Sequence, residues 1–123
     1  PTFGIYLLNL TMQHLLDLGG LAEVEKINAK KASTLYNIID SSNGFYVGHA
    51  KKSSRSDMNV SFTIPKDHAL EPVFVEEALK EGMLGLKGHR HLGGIRASIY
   101  NAVSQSDVEK LGEFMREFAR KHG

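Results

Sequence analysis

The sequence contains no cysteine, and its formal net charge is only +1. Without cysteine there can be neither a disulfide framework nor a thiolate nucleophile. No apolar run approaches the length of a membrane span, and the first residues lack the basic-then-apolar order of a signal peptide. A general nucleic-acid binder needs a basic excess along one face, which a net charge of +1 does not indicate. We therefore expect neither a membrane nor a nucleic acid as a partner.

The remaining composition is that of an ordinary globular protein. Of the 123 residues, 41% are hydrophobic and 24% are charged, enough for one domain with a modest core. An intracellular setting is permitted by the absence of cysteine, and we expect the cytoplasm, or an organelle if a targeting segment lies upstream. The chain starts at Pro1 without a methionine, which favours a processed or truncated product.

Two helices are predicted in the first third of the chain. Residues 3–18 are apolar on nearly every side, with Thr2 as the predicted cap, so this helix is expected to need burial on most sides. Gly19 and Gly20 then break the helical pattern. A second, longer helix is predicted from Leu21 to Ser41, where apolar residues recur at helical spacing.

The rest of the chain predicts the order β-β-α-β-β-α. Strands are expected at 45–48, 58–64, 83–87 and 95–101; one helix opens at Glu71-Pro72 and ends near Gly82, and the last follows a capping box at Ser104-x-x-Asp107. This order predicts an α+β fold, with two helices on one face of a mostly antiparallel sheet and the other face free for a ligand. The polar loop 49–56 is either a phosphate-binding or partner site or, as we favour, a mobile surface loop.

One stretch has the composition of an anion site. Residues 85–101 contain four glycines, two histidines, two arginines and a lysine. Glycine lets the backbone approach a ligand closely, and arginine offers a fork of N–H donors that matches a carboxylate or a phosphate. The loop between Gly88 and Gly93 carries His89, Arg90 and His91, and so predicts a binding site for a doubly charged group.

The residues after this loop alternate in character. Ile95, Ala97 and Ile99 would lie on one face of a strand, which places Arg96 on the other face. Arg90 and Arg96 together suit a ligand with two anionic ends. Spacing alone leaves open that the loop is an ordinary turn with solvated basic groups. His89-x-His91 is weak support for a metal site, and we predict none.

These residues resemble a known family. The pattern Gly-His-Arg-x-x-Gly-Gly-x-Arg-Ala-Ser-x-Tyr-Asn-Ala, from Gly88 to Ala102, is similar to the C-terminal signature of the phosphoserine aminotransferases, which are fold type I, class V enzymes of serine biosynthesis dependent on pyridoxal 5'-phosphate. Pro-Thr-Phe at the start, Leu-Gly-Gly-Leu at 18–21, Gly-Phe-Tyr-Val at 44–47 and Met-Asn-Val at 58–60 extend the resemblance. It implies that the chain is roughly the last third of such an enzyme.

The resemblance also implies a role for each basic residue. His89 and Arg90 would contact the substrate phosphate, and Arg96 would bind the α-carboxylate. His91 departs from the family, which commonly has a small residue there. It would either strengthen phosphate binding or, as we favour, face solvent. The implied substrates are phosphoserine, 3-phosphohydroxypyruvate, glutamate and 2-oxoglutarate, and the implied assembly is a homodimer.

The cofactor implied by the resemblance is pyridoxal 5'-phosphate, bound by upstream residues that include the Schiff-base lysine. The chain would then contain no catalytic or cofactor-binding residue and would be inactive alone. Residues 1–20 would belong to a large cofactor-binding domain, 21–43 would form a connecting helix, and 44–123 would form a small C-terminal domain. A stand-alone anion-binding or regulatory module without catalysis is the alternative, because one fold hosts many functions.

Overall fold

The computed structural model describes all residues from Pro1 to Gly123. Helix α1 spans Thr2–Asp17 and helix α2 spans Leu21–Ser41, as predicted. The break between them uses Gly19 and Gly20, whose φ angles of 113° and 79° favour glycine. The predicted cap is wrong: Thr2 lies inside α1, Pro1 precedes the helix, and no side chain caps it.

Helix α1 buries none of its residues within this chain. Its apolar side chains are exposed, with Phe3 at 73% and Ile5 and Leu16 at 65% of their full accessibility. The sequence predicted a helix that needs burial on most sides, but no other element of this chain buries the apolar surface of α1. Neither α1 nor any other helix combines the length and the apolar character that a membrane span requires.

The remaining elements follow the predicted order β-β-α-β-β-α. Strands β1 and β2 come first, then α3, then β3 and β4, then α4; a short 3-10 turn at Lys52–Ser54 lies between β1 and β2. The sheet order is β1-β2-β4-β3 and every neighbouring pair is antiparallel. The predicted α+β class with an antiparallel sheet is therefore confirmed. The bounds are Val47–Gly48 (β1), Asn59–Thr63 (β2), Leu70–Lys80 (α3), Lys87–His89 (β3), Gly93–Ser98 (β4) and Gln105–His122 (α4).

The third strand does not lie where the sequence predicted it. The expected strand at 83–87 is mostly irregular, because Gly82 and Gly85 have φ angles of 81° and 75° that interrupt extended backbone. The strand instead occupies Lys87–His89. Since β4 begins at Gly93, two residues before the predicted 95, the basic loop is a hairpin turn of only three residues, 90–92.

The core lies on one face of the sheet. Helices α2, α3 and α4 all contribute to it, so α2 packs against the sheet in addition to its predicted role as a connection. At its centre, the Phe74 ring meets the rings of Tyr46, Phe62 and Phe118 edge-on at centroid distances of 6.1, 5.9 and 5.0 Å. The Tyr46 hydroxyl donates to the Met115 carbonyl at 2.8 Å, and burial raises the pKa of this phenol.

Alternation along β2 and β4 leaves a polar face uncovered by helices. Ile95 and Ala97 are buried in the core, whereas Arg96 and Ser98 between them lie on the opposite face, as predicted. We call this polar side of the sheet the open face.

Helix α4 starts with the predicted capping box: the Asp107 N–H donates to the Ser104 hydroxyl at 3.1 Å, and the Ser104 N–H donates to the Asp107 carboxylate at 3.2 Å.

Candidate functional site

The basic residues stand on the β3–β4 hairpin. His89 pairs with Gly93, so the three residues between them form the turn. A side chain at Gly88 would collide with the Gly93 carbonyl oxygen, and Gly93 itself has a φ of 68°. Both positions therefore require glycine, and the tightness of the hairpin fixes where its basic side chains project.

Arg96 has a buried atom without a partner. It lies on β4 directly opposite Ser61 of β2. The Nε of its guanidinium is inaccessible to solvent and makes no hydrogen bond within the chain. Buried polar groups in proteins are nearly always hydrogen-bonded, so this N–H indicates a guanidinium available to an acceptor that the chain does not provide.

A cleft of about 260 Å³ opens beside Arg96 on the open face. The cleft brings His89 and Arg96 together, as the predicted site requires. Its four polar side chains are donors or can be donors, and none is a carboxylate, which suits an anion. The lining residues are His49, Ser61, Gly88, His89, Leu92, Gly93, Ile95 and Arg96.

Arg90 lies in a different cleft. A larger space of about 500 Å³ between α3 and the hairpin is lined by Arg90, Lys87 and His89, but also by Glu71 and Glu76. The two carboxylates disfavour an anion in this larger cleft. The cleft beside Arg96, although smaller, is therefore the better anion site. His89 lines both clefts and is the only predicted site residue that connects them.

The tip of the hairpin has its own hydrogen bonds. The Arg90 Nε–H donates to the His91 ring nitrogen Nε2 at 3.1 Å, and the His91 backbone N–H donates to His89 Nδ1 at 3.3 Å. His91 is exposed, in agreement with its predicted place facing solvent, but it also contacts Arg90. The assigned roles of His89, Arg90 and Arg96 in binding a substrate stay predictions.

The loop 49–56 is held against α2. The Arg55 guanidinium donates to both oxygens of Asp40 at 2.9 and 2.6 Å and stands 4.4 Å from the centre of the Tyr36 ring. The hydrogen bonds from Arg55 lower the pKa of Asp40 to about 2. The favoured interpretation as a mobile loop therefore fits only part of the segment, because Arg55 is fixed by an ion pair across 15 residues that no periodicity reveals.

Sequence reasoning missed His49 as a site residue. The prediction offered the polar loop 49–56 as a phosphate-binding or partner site but favoured a mobile surface loop and did not single out His49, yet His49 lines the Arg96 cleft. Its backbone N–H donates to the Ser61 carbonyl at 3.2 Å, which continues the pairing of β1 with β2 by one residue. The signal in the sequence was the polar composition of the loop 49–56, which begins with a histidine directly after a predicted strand.

One lysine is fully buried. The Lys31 ammonium on α2 donates to the carbonyl oxygens of Ile99, Tyr100 and Val103 at 3.0, 2.8 and 2.8 Å. An ammonium has three donors, so all are used. Burial lowers the pKa of Lys31, but its hydrogen bonds give it a structural role that holds the segment after β4 against α2.

Known proteins resemble this chain over nearly its whole length. The family model described as aminotransferase class-V matches residues 1–111. The phosphoserine aminotransferase of Campylobacter lari is 61% identical over 121 residues, which are 98% of this chain and 34% of that protein. That of Bacillus subtilis is 53% identical over 122 residues, 99% of this chain and 34% of that protein.

Solved structures agree with these sequences. The phosphoserine aminotransferase from Bacillus circulans subsp. alkalophilus superposes with a TM-score of 0.96 at 48% identity, covering all of this chain and 34% of that one. A phosphoserine aminotransferase from Trichomonas vaginalis, solved with pyridoxal phosphate bound, gives a TM-score of 0.86 at 38% identity over 94% of this chain and 33% of that one.

The chain spans about a third of the length of the curated relatives it matches, and it corresponds to their C-terminal part. The resemblance predicted from the Gly88–Ala102 motif is thereby confirmed, as is the predicted small-domain fold. With its family model, its relatives and its structural neighbours in agreement, this chain belongs to the class-V aminotransferase family.

Proposed function

We propose that this chain supplies the substrate-binding part of a phosphoserine aminotransferase. The reaction would transfer an amino group between glutamate and 3-phosphohydroxypyruvate, giving phosphoserine and 2-oxoglutarate in serine biosynthesis. One observation carries the proposal: Arg96, with an unpartnered buried Nε, shares an anion-suited cleft with His89 in a chain 61% identical to a phosphoserine aminotransferase.

The proposed roles follow from the charge of the substrates. All four substrates carry an α-carboxylate, and each carries a second anionic group at its other end. Arg96 would bind the α-carboxylate with two parallel N–H bonds, which fixes the plane of that end. His89, with Arg90 from the hairpin tip, would bind the phosphate of the phosphorylated pair and accommodate the side-chain carboxylate of the other pair. The chain thus binds and orients substrates.

The residues of this chain do not fit the cofactor that a transaminase needs. Pyridoxal phosphate would supply transamination by carrying the amino group, and it would need a free lysine amine to hold it; Lys31, the only buried lysine, has all its donors engaged with backbone carbonyls. Lys87, which borders the α3 cleft, is exposed. We propose that residues outside these 123 hold the cofactor, and that the chain alone is inactive.

Assembly and location are part of the same proposal. We propose a homodimer in the cytoplasm, the assembly and the compartment that the family resemblance implies. Light scattering coupled to size-exclusion chromatography of the whole protein would give twice the mass of its chain. A monomer mass at working concentrations would contradict the dimer.

The test uses the whole protein with pyridoxal phosphate. Phosphoserine and 2-oxoglutarate are supplied, and the glutamate formed is measured. Arg96→Ala should lower kcat/KM about 100-fold for every substrate, because a charge-assisted pair is worth up to about 3 kcal/mol. Arg90→Ala should lower it mainly for phosphorylated substrates. Arg116→Ala is the matched control, since Arg116 is exposed on α4 and makes no hydrogen bond through its side chain.

Three outcomes are decisive. Equal losses for phosphoserine and glutamate in the Arg90 variant would contradict the division of roles between the two arginines. Full activity in the Arg96 variant would remove Arg96 from the site. Binding of phosphoserine without any formation of glutamate would favour the alternative function, an anion-binding or regulatory module.

A further inference from the structure

We propose that His49 is a further phosphate-binding residue of this site, donating from the open face to the same phosphate that His89 contacts. The inference rests on the proposed function and assigns to it a group outside the Gly88–Ala102 motif. Three observations support it: the His49 ring lies in the cleft, Gly94 has no side chain to fill the space of the ring, and a phosphate has more oxygens to be hydrogen-bonded than a carboxylate.

The sheet register brings His49 towards Arg96. Gly48 pairs with Phe62, and the next residue, His49, bonds through its backbone N–H to Ser61. Ser61 in turn pairs with Arg96. His49, Ser61 and Arg96 thus belong to one row across three neighbouring strands, and all three line the same cleft.

The His49 ring also reaches past β2 to β4. Its Cε1 atom lies 2.9 Å from where a Cβ of Gly94 would stand. Such a distance is too short for two carbon atoms, so the ring occupies space that exists only because residue 94 is glycine. Gly94, with a φ of 73°, sits between Gly93, the partner of His89, and Arg96 two residues on. The ring therefore lies against β4 at Gly94, next to the strand partner of His89 and two residues from Arg96.

The rest of the loop fixes this position. His49 is held at its backbone by Ser61, and six residues later Arg55 is held by both oxygens of Asp40. The Tyr36 hydroxyl donates to the Ser56 carbonyl at 2.8 Å. The ring nitrogens of His49 make no hydrogen bond within the chain and are free to donate, whereas both terminal nitrogens of Arg55 are engaged by Asp40. A fixed ring with free nitrogens is suited to ligand binding.

The phosphate is the group that needs this donor. A phosphate monoester has three terminal oxygens, whereas a carboxylate has two that a single arginine fork can satisfy. Arg90 lines the other cleft, so His89 alone would serve the phosphate oxygens that face the open side. The His49 ring lies beside Gly94, one residue along β4 from the His89–Gly93 pair, and supplies the missing donor there. It would raise the preference for phosphorylated over unphosphorylated substrates.

Binding of inorganic phosphate to the whole protein tests this without catalysis. Isothermal titration calorimetry gives Kd for wild type, His49→Ala and His49→Gln. We expect about tenfold weaker binding for alanine, which removes one charge-assisted donor, and about threefold for glutamine, which keeps an N–H. His68→Ala is the matched control: this exposed histidine contacts Glu71 and lies outside the cleft, so its Kd should equal that of wild type.

Kinetics provide the second measurement. With His49→Ala, KM for phosphoserine should rise about tenfold while KM for glutamate rises less than threefold. Unchanged phosphate binding, or equal losses for phosphoserine and glutamate, would overturn the role of His49. Failure of the proposed function would look different: wild-type protein would form no glutamate from phosphoserine, while the effect of His49 on the phosphate Kd would still be measurable.

Discussion

At the scale of single residues, the hairpin depends on Gly88. A methyl group at this position would collide with the Gly93 carbonyl oxygen and lie 2.5 Å from that of Gly94. Both are backbone atoms of the paired strand and cannot move without breaking the β3–β4 ladder. The glycine is required by the close approach of strands β3 and β4, since its own φ is not in the left-handed region.

We expect Gly88→Ala to lower the free energy of unfolding by about 3 kcal/mol, because the clash is with backbone. Gly85→Ala is the control: a Cβ there meets no atom, and only its φ of 75° costs about 1 kcal/mol. Urea unfolding followed by circular dichroism measures both. Equal losses of unfolding free energy in the two variants would show that the cost comes from backbone conformation and not from the close approach of the strands.

The buried ammonium of Lys31 is the second side chain whose contribution to stability depends on the groups around it. Replacing Lys31 by methionine preserves the apolar stem but leaves the carbonyl oxygens of Ile99 and Val103 without a donor, while that of Tyr100 keeps the Val103 N–H. We expect a loss of about 3 kcal/mol in the free energy of unfolding, since buried acceptors that lose a partner are costly. Lys30→Met, at the exposed neighbouring position, should change the stability by less than about 0.5 kcal/mol. An unchanged free energy of unfolding for Lys31→Met would mean that water replaces the ammonium as the hydrogen-bond donor.

At the scale of elements, the pair of Asp40 and Arg55 joins α2 to the loop after β1. Its stability depends on pH in a definite direction. The pKa of Asp40 falls from its usual 3.8 to about 2 in the folded chain, mainly through the hydrogen bonds from Arg55. The lower folded pKa means that the contribution is complete above the unfolded pKa and is lost as the pH falls towards 2.

We therefore expect wild type to lose about 1 kcal/mol more than Asp40→Asn between pH 4 and pH 2, a value reduced for the partial exposure of the carboxylate. Urea unfolding at a series of pH values measures this. Asp17→Asn, on the exposed helix α1, is the control and should follow the wild-type curve. Parallel curves for wild type and Asp40→Asn would contradict a stabilising role for the pair.

At the scale of the whole molecule, α1 is the exception to an otherwise closed fold. The sheet and helices α2, α3 and α4 enclose one continuous core, while α1 contributes no buried residue. Contiguous exposed apolar surface of this kind marks an interaction site. The isolated 123-residue chain should therefore associate with itself through α1.

The expected result is an apparent mass that rises with concentration in light scattering. Ile5→Glu combined with Leu8→Glu should abolish this rise without lowering the unfolding temperature of the core, because neither side chain is buried. Thr11→Glu, at a polar exposed position of the same helix, controls for added charge. Association that persists in the double variant would assign the contact to another surface.

The sequence by itself determined the helices, the fold class and the family. Helical periodicity gave α2 its bounds, Ser104 and Asp107 gave α4 its start, and alternation after Gly94 put Arg96 on the open face. These features are local: each depends on residues within a few positions of one another, so they can be recognised without knowing what packs against them.

Only the tertiary structure decided how the site is shared between strands. Strand register brought His49 from the loop after β1 to the cleft of Arg96, and the tight hairpin assigned Arg90 to the α3 cleft. The Arg55–Asp40 pair and the three carbonyl partners of Lys31 join residues 15 to 72 positions apart. No local pattern encodes such contacts, because they form only when the core fixes the strands and helices against each other.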